Sequence, residues 1–267
     1  MRSDFHMHTN FSTDADFSPE EMMEGAIEKG LKVICITDHI DKDYDEEEKE
    51  FFFDTDKYFE KLNRLKQKYR QKIDLRIGVE TGLQPHLGEY YHKYVNKYPF
   101  DFVIGSVHLV RGIDPYYGEL FRNQTDREAY RQTFEDTILD IKNNDDFDVL
   151  GHLDYIVRYS KEKERSYSYS EFSDQIDEIL KLLISKGKGL ELNTAGLKYG
   201  LPFAHPHMDV LKKYREFGGE ILTIGSDAHK PEHIAYDFYK VKDILQECGF
   251  KYYTEFKERR PIFIQVG

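Results

Sequence analysis

Short apolar runs recur along the chain at intervals of about 28 to 44 residues, the period of strand–helix units. They are DFHMHTN (4–10), LKVICITDH (31–39), LRIGVETG (75–82), FDFVIGSVH (100–108), FDVLGHLD (147–154), GLELNT (189–194) and EILTIGSDAH (220–229). The second run is almost continuously apolar, as in a parallel strand covered on both faces. In the first, the two-residue repeat of a strand sends His6 and His8 to one side and Phe5 and Met7 to the other.

Between the runs the pattern turns helical. Ser18, Pro19 and Glu21 make a capping box with proline at the first helical position, and Gly30 stops that helix. Further helices are predicted over about 55–71, within 83–98, from an N-cap at Thr125 to about 144, over QIDEILKLLISKG (175–187), over 209–217, and from Pro231 to about Gly249. The acidic tract 41–50 and the polar tract 159–170 are predicted to be solvated loops. Residues 196–207, rich in Gly and Pro, form an irregular loop that places Lys198, His205 and His207 outside regular structure. The closing FIQV fits either a strand or an extended tail.

Right-handed crossovers make such strands parallel and bring their C-terminal ends to one face, which carries the active site when the sheet closes into a barrel. Those ends carry His6 and His8, His39, Glu80, His108, His152, Asn193, and Asp227 with His229. Six of the eleven histidines stand there, whereas His86 and His92 lie in a helix-like stretch and read as surface or packing residues. Imidazole mixed with carboxylate suits Zn, Mn or Fe. The donors are too many for one ion, so two or three divalent metals are implied, with Glu80 as the natural bridge.

Composition narrows the partners. Fifty acidic against 38 basic residues give a formal charge of -12, which opposes extended nucleic-acid binding, though a metal cluster can still attract a small anion. Aromatic residues make up 15% of the chain, enough for a substantial core. Two cysteines, Cys35 and Cys248, argue for a reducing compartment. No run has transmembrane length and no leader is recognisable, so a soluble, cytoplasmic protein with no membrane partner is expected.

In combination, HxHTxxS at 6–12, TDH at 37–39, the isolated Glu80, His108 and His152, and SDAH at 226–229 resemble the polymerase-and-histidinol-phosphatase (PHP) family. The resemblance spans His6 to His229. It implies one α/β domain over 1–267 folded as a distorted (β/α)7 barrel with a trinuclear site. Carried over by position, His6, His8, Glu80 and Asp227 hold one metal, Glu80, His108 and His152 a second, and Asp14, His39 and His229 a third. Asp14 departs from members that have histidine there.

For such a site the simplest chemistry is attack of a metal-bridging hydroxide on a phosphate monoester. Glu80, Asp227 and His229 then count as catalytic through the metals they hold. Asp154 is a candidate general acid, a reader of a substrate amine, or a partner that orients His152. Arg158 and Lys198 are candidate phosphate ligands, and Asn193 a candidate hydrogen-bonding residue toward substrate. The resemblance implies hydrolysis of L-histidinol phosphate to L-histidinol and phosphate, in histidine biosynthesis. The rivals are a PHP phosphoesterase for nucleotides or oligonucleotide ends, an amidohydrolase-like C–N hydrolase, and a non-catalytic metal-binding module. The pattern leaves oligomeric state open.

Overall fold

A computed structural model of the chain describes residues 1–45 and 51–267, so part of the acidic tract, 46–50, lies outside the described residues. The element order is β1 (Ser3–Asp4), α1 (Pro19–Glu28), β2 (Val33–Ile36), β3 (His39–Ile40), α2 (Thr55–Tyr69), β4 (Asp74–Gly82), α3 (Gly88–Lys97), β5 (Phe102–Ser106) and α4 (Asp126–Asn143). There follow β6 (Val149–Leu150), α5 (Ser173–Ser185), β7 (Gly189–Asn193), α6 (Ala195–Lys198), α7 (Met208–Glu216), β8 (Leu222–Gly225), α8 (Phe238–Glu247), β9 (Tyr252–Lys257) and β10 (Arg260–Gln265). The capping boxes at Ser18–Glu21 and Thr125–Glu128 are both formed.

Parallel pairing runs β1-β2-β4-β5-β6-β7-β8, with β3 beside the upper part of β4. The ends then meet: Phe5 N donates to Ile224 O at 2.9 Å, His8 N donates to Ala228 O at 2.8 Å, and Met7 bridges Ala228 in parallel. With helices outside, this is a distorted (β/α)7 barrel.

Register partners in parallel strands share a side, which identifies what faces the interior. Cys35 pairs with Arg76, Gly78 with Phe102, Ile104 with Val149, Val149 with Gly189, and Glu191 with Thr223. The inner cluster is accordingly Phe5, Val33, Cys35, Phe102, Ile104 and Val149, while Ile34, Ile36, Leu75, Ile77, Val79, Leu190 and Leu192 pack outward against the helices. Along β4 the inner column is Arg76, Gly78, Glu80 and Gly82, and along β7 it is Gly189, Glu191 and Asn193. Gly78 is small for a reason, since a Cβ there would lie 2.7 Å from Cys35 Sγ.

One expectation is corrected, and one open alternative is decided. Regular pairing of the first strand stops at Asp4, and Phe5 joins the inner cluster on the same side as His6 instead of opposite it, because the chain loses strict alternation between them. FIQV is no tail: β10 pairs antiparallel with β9 through a two-residue turn, Glu258–Arg259, with both φ angles positive (51° and 61°). This hairpin closes the end of the barrel away from the site. Phe256 inserts beside Phe102 at 5.0 Å, and Arg259 Nε donates to Asp148 at 2.6 Å.

Candidate metal centre

Glu80 stands at the middle of the open end, fully buried, and its two oxygens divide the histidines between them. Oε2 lies 3.1 Å from His6 Nε2, 3.1 Å from His39 Nδ1 and 3.4 Å from His8 Nε2. Oε1 lies 3.1 Å from His152 Nε2 and 3.3 Å from His108 Nε2, and it accepts from Ser106 Oγ at 2.6 Å. Pairing of β3 with β4 puts His39 directly beside Glu80.

Asp227 closes the far side, with Oδ1 3.4 Å from His8 Nε2 and 3.5 Å from His229 Nδ1. Its φ of 51° is left-handed, a conformation costly for Asp and the kind that a functional site retains when the surroundings enforce it. Asp14 Oδ2 lies 3.0 Å from His229 Nε2 and 3.8 Å from His39 Nε2. The His8 ring is stacked between those of His39 and His229, each 4.2 Å away.

Burial, together with His39 and His229, pushes His8 well below its ordinary value. Burial by itself would raise Glu80, yet His6, His39 and His108 hold it well below the carboxylate range. Among the described residues, two of these donor nitrogens, His8 Nε2 and His39 Nδ1, have no hydrogen-bond partner. Orphaned nitrogens facing shared carboxylate oxygens are what a metal site presents when its donors are preformed. Among the described residues, four groups of three donors are close enough to hold an ion: His6–His8–Glu80, Glu80–His108–His152, His8–His39–His229 and His39–Asp41–His108.

Residues behind the donors fix which nitrogen faces inward. His6 Nδ1 lies 2.7 Å from Glu191, His108 Nδ1 2.5 Å from Asp41, and His8 Nδ1 3.3 Å from Ser12 Oγ. Glu191 also accepts from His152 N at 2.9 Å. Asp38 accepts from Thr9 N at 2.6 Å and from Ser12 Oγ at 2.7 Å, tying down the loop that leads to Asp14. Burial pushes the Asp38 carboxyl up to about 6 despite those bonds.

Glu191 and Asp41 were not singled out by the sequence. Glu191 is legible in hindsight, a carboxylate alternating with leucines in GLELN and so confined to the barrel interior, where it needs partners. Asp41 was hidden in the acidic tract read as solvated; it is buried against Gly82 and His108.

A cavity of about 680 Å³ opens above this floor. Arg158 lines it, its guanidinium packed on the rings of Tyr199, Tyr159 and Tyr155 at 4.4, 4.7 and 5.5 Å and 3.8 Å from Asp227 Oδ2. The other three candidates for substrate contact lie elsewhere. Lys198 Nζ donates to the Asp227 carbonyl at 2.8 Å from behind. Asn193 is fully buried outside the cavity wall, donating to Glu191 at 3.0 Å and accepting from Ala195 N at 2.9 Å. Asp154 is also fully buried; it pairs with His205 Nδ1 at 2.6 Å and accepts from His207 N at 2.8 Å, so neither His152 nor the cavity meets its carboxylate. His86 and His92 are exposed on the surface.

Residues 4–195 match the family model described as PHP domain. A protein of Clostridium acetobutylicum named "Probable histidinol-phosphatase" is 36% identical over 251 residues, 94% of this chain and 95% of that one. The histidinol-phosphatase of Lactococcus lactis is 31% identical, covering 92% of this chain and 91% of its own. Among solved structures, histidinol phosphate phosphatase from Lactococcus lactis, complexed with zinc, L-histidinol and phosphate, superposes with a TM-score of 0.89 at 29% identity over 98% of both chains.

Proposed function

The chain belongs to the PHP family, and from that membership and the geometry of its floor we infer a metal-dependent phosphomonoesterase that hydrolyses L-histidinol phosphate to L-histidinol and phosphate. The observation that carries this reading is Glu80, whose two oxygens separate two sets of histidines beneath a cavity walled by Arg158. One carboxylate serving two donor sets is what neighbouring cations require.

We assign His6, His8, Glu80 and Asp227 to one cation, Glu80, His108 and His152 to a second, and Asp14, His39 and His229 to a third. Two or three ions of Zn, Mn or Fe suit this nitrogen and oxygen set. When bound, such ions acidify water and neutralise charge on phosphate oxygens.

The chain's own residues supply the rest. Arg158, held flat by three tyrosines, offers a fork of donors beside the floor, the geometry that suits two phosphate oxygens. Glu191 and Asp41 keep His6 and His108 turned with Nε2 inward. Lys198 braces the strained Asp227 backbone through its carbonyl. Asp154, closed off from the cavity, ties the turn that carries Arg158 to the segment His205–His207, a positioning role instead of an acid one.

Both cysteines are buried and free, and no helix among the described residues is long and apolar enough to cross a membrane. These features support a reducing, cytoplasmic setting for a biosynthetic step. The test is phosphate release from L-histidinol phosphate, p-nitrophenyl phosphate and a short oligonucleotide by the metal-loaded protein. Strong preference for the first is expected; equal or greater activity on the oligonucleotide would replace this reading with the nucleic-acid alternative.

A further inference from the structure

The pose of Arg158 is set by two separate stretches of chain. Tyr155 and Tyr159, 5.5 and 4.7 Å from the guanidinium, stand on its own helical turn, Tyr155–Tyr159. The nearest ring, Tyr199 at 4.4 Å, belongs to the loop that leaves β7 and opens with α6. What fastens one stretch to the other is buried and outside the cavity. Asp154 stands immediately before the Arg158 turn, yet its side chain caps nothing there. Both of its oxygens cross to the second stretch: Oδ1 lies 2.6 Å from His205 Nδ1, and Oδ2 accepts from His207 N at 2.8 Å.

His205 passes that hold on to Tyr199. Its backbone exchanges hydrogen bonds of 2.7 and 2.8 Å with Asn193, which closes residues 194–204 into a loop. Its ring is fully buried against the first turn of α6. The fit there leaves no room for a side chain, since a Cβ at Gly196 would stand 3.3 Å from His205 Nε2 and 2.5 Å from the Phe203 carbonyl oxygen. Tyr199 follows α6 directly and donates its N–H to Ala195 O at 2.9 Å. Packed and hydrogen-bonded groups therefore run without a break from the Asp154 carboxylate to the ring on Arg158. Burial makes the Asp154–His205 pair exacting, because an imidazole turned aside would leave a buried carboxylate oxygen without its donor.

We propose that His205 is a positioning residue for phosphate binding: fastened to Asp154, it holds Tyr199 over Arg158 and so fixes the direction in which the guanidinium presents its donors. The inference rests on the phosphomonoesterase reading, in which Arg158 receives the phosphate, and adds to it a residue that stands outside the cavity. Direction matters because a guanidinium fork grips two oxygens only while it lies in their plane.

The test is a double-mutant cycle on the metal-loaded protein. Wild type, Arg158→Ala, His205→Ala and the double variant are compared by kcat and KM for p-nitrophenyl phosphate, by the inhibition constant of inorganic phosphate, and by bound metal. His205→Ala is expected to raise KM and the phosphate inhibition constant about three- to tenfold with a smaller change in kcat, and to add nothing in the Arg158→Ala background. His205→Asn, whose amide stands where Nδ1 stood, is expected to recover most of the loss. His205→Gln, which keeps bulk but carries its amide farther out, takes the place of Ala in the cycle where melting shows that Ala does not fold. Unchanged phosphate inhibition, effects that add in full to those of Arg158→Ala, a loss confined to kcat, or an Asn variant as impaired as Ala would overturn the proposal. Arg158→Ala with unaltered phosphate inhibition would remove the phosphate role of Arg158 and the positioning role together, whereas a weakened Arg158→Ala beside an unaffected His205→Ala overturns the positioning role alone.

Discussion

His108 Nδ1 lies 2.5 Å from Asp41 Oδ2, and the opposite nitrogen of the same ring lies 3.3 Å from Glu80 Oε1. The ring is thus clamped between a carboxylate that orients it and one that shares its task. Asp41→Asn keeps the volume and weakens the clamp. Metal affinity at the Glu80–His108–His152 position is expected to fall about 10- to 100-fold, read as a higher metal concentration for half-maximal activity and as lower metal content after dialysis.

Glu80 is the one donor assigned to two of the three proposed cation positions. Glu80→Ala is expected to reduce turnover on the order of a thousandfold or more and to lower bound metal, with the circular dichroism of a folded barrel retained. Retained activity with full metal content would remove Glu80 from the site.

Arg158 is held by three ring faces and meets Asp227 only at 3.8 Å, which leaves its donors turned to an incoming anion. Arg158→Ala is expected to raise KM about tenfold with a smaller change in kcat, if phosphate is held equally in ground and transition states. Unchanged steady-state constants would make Arg158 a packing residue only.

A stability prediction comes from outside the site. Asp140, on α4, is buried with one oxygen lacking a partner; burial, and then Asp136, push its carboxyl up from the ordinary 3.8 to about 8. The folded protein therefore holds this proton more tightly than the unfolded chain. Its contribution is full below about pH 4, is lost as the pH rises toward 8, and falls no further above that. Asp140→Asn lacks this dependence. Its melting temperature is expected to exceed that of wild type by on the order of a few degrees at alkaline pH, with the difference vanishing near pH 4. A constant offset across that range would contradict the assignment.

The sequence disclosed the barrel because buried parallel strands and capped helices write strong, local patterns, as at LKVICITDH and Ser18–Glu21. It pointed to nine candidate donors because most stand where such strands end, and to Asp14 because of the family pattern. Glu191 escaped because it lies within β7 and not at its end, although the two-residue alternation continues inward through GLELN. Asp41 escaped because a charge within an acidic run gives no sign of its burial. The side toward which Lys198 and Asp154 turn depends on partners distant in sequence, the Asp227 carbonyl for the first and His205 with His207 for the second. No local period encodes those.

The central claim is that phosphate ester hydrolysis here depends on cations gathered around Glu80. Its most direct test is phosphate release from L-histidinol phosphate by chelator-stripped protein titrated with Zn, Mn or Fe while bound metal is counted. The account predicts negligible release from the stripped protein and a rise to a plateau at two or three ions per chain. Full turnover by the stripped protein, or metal uptake without any turnover, would contradict it.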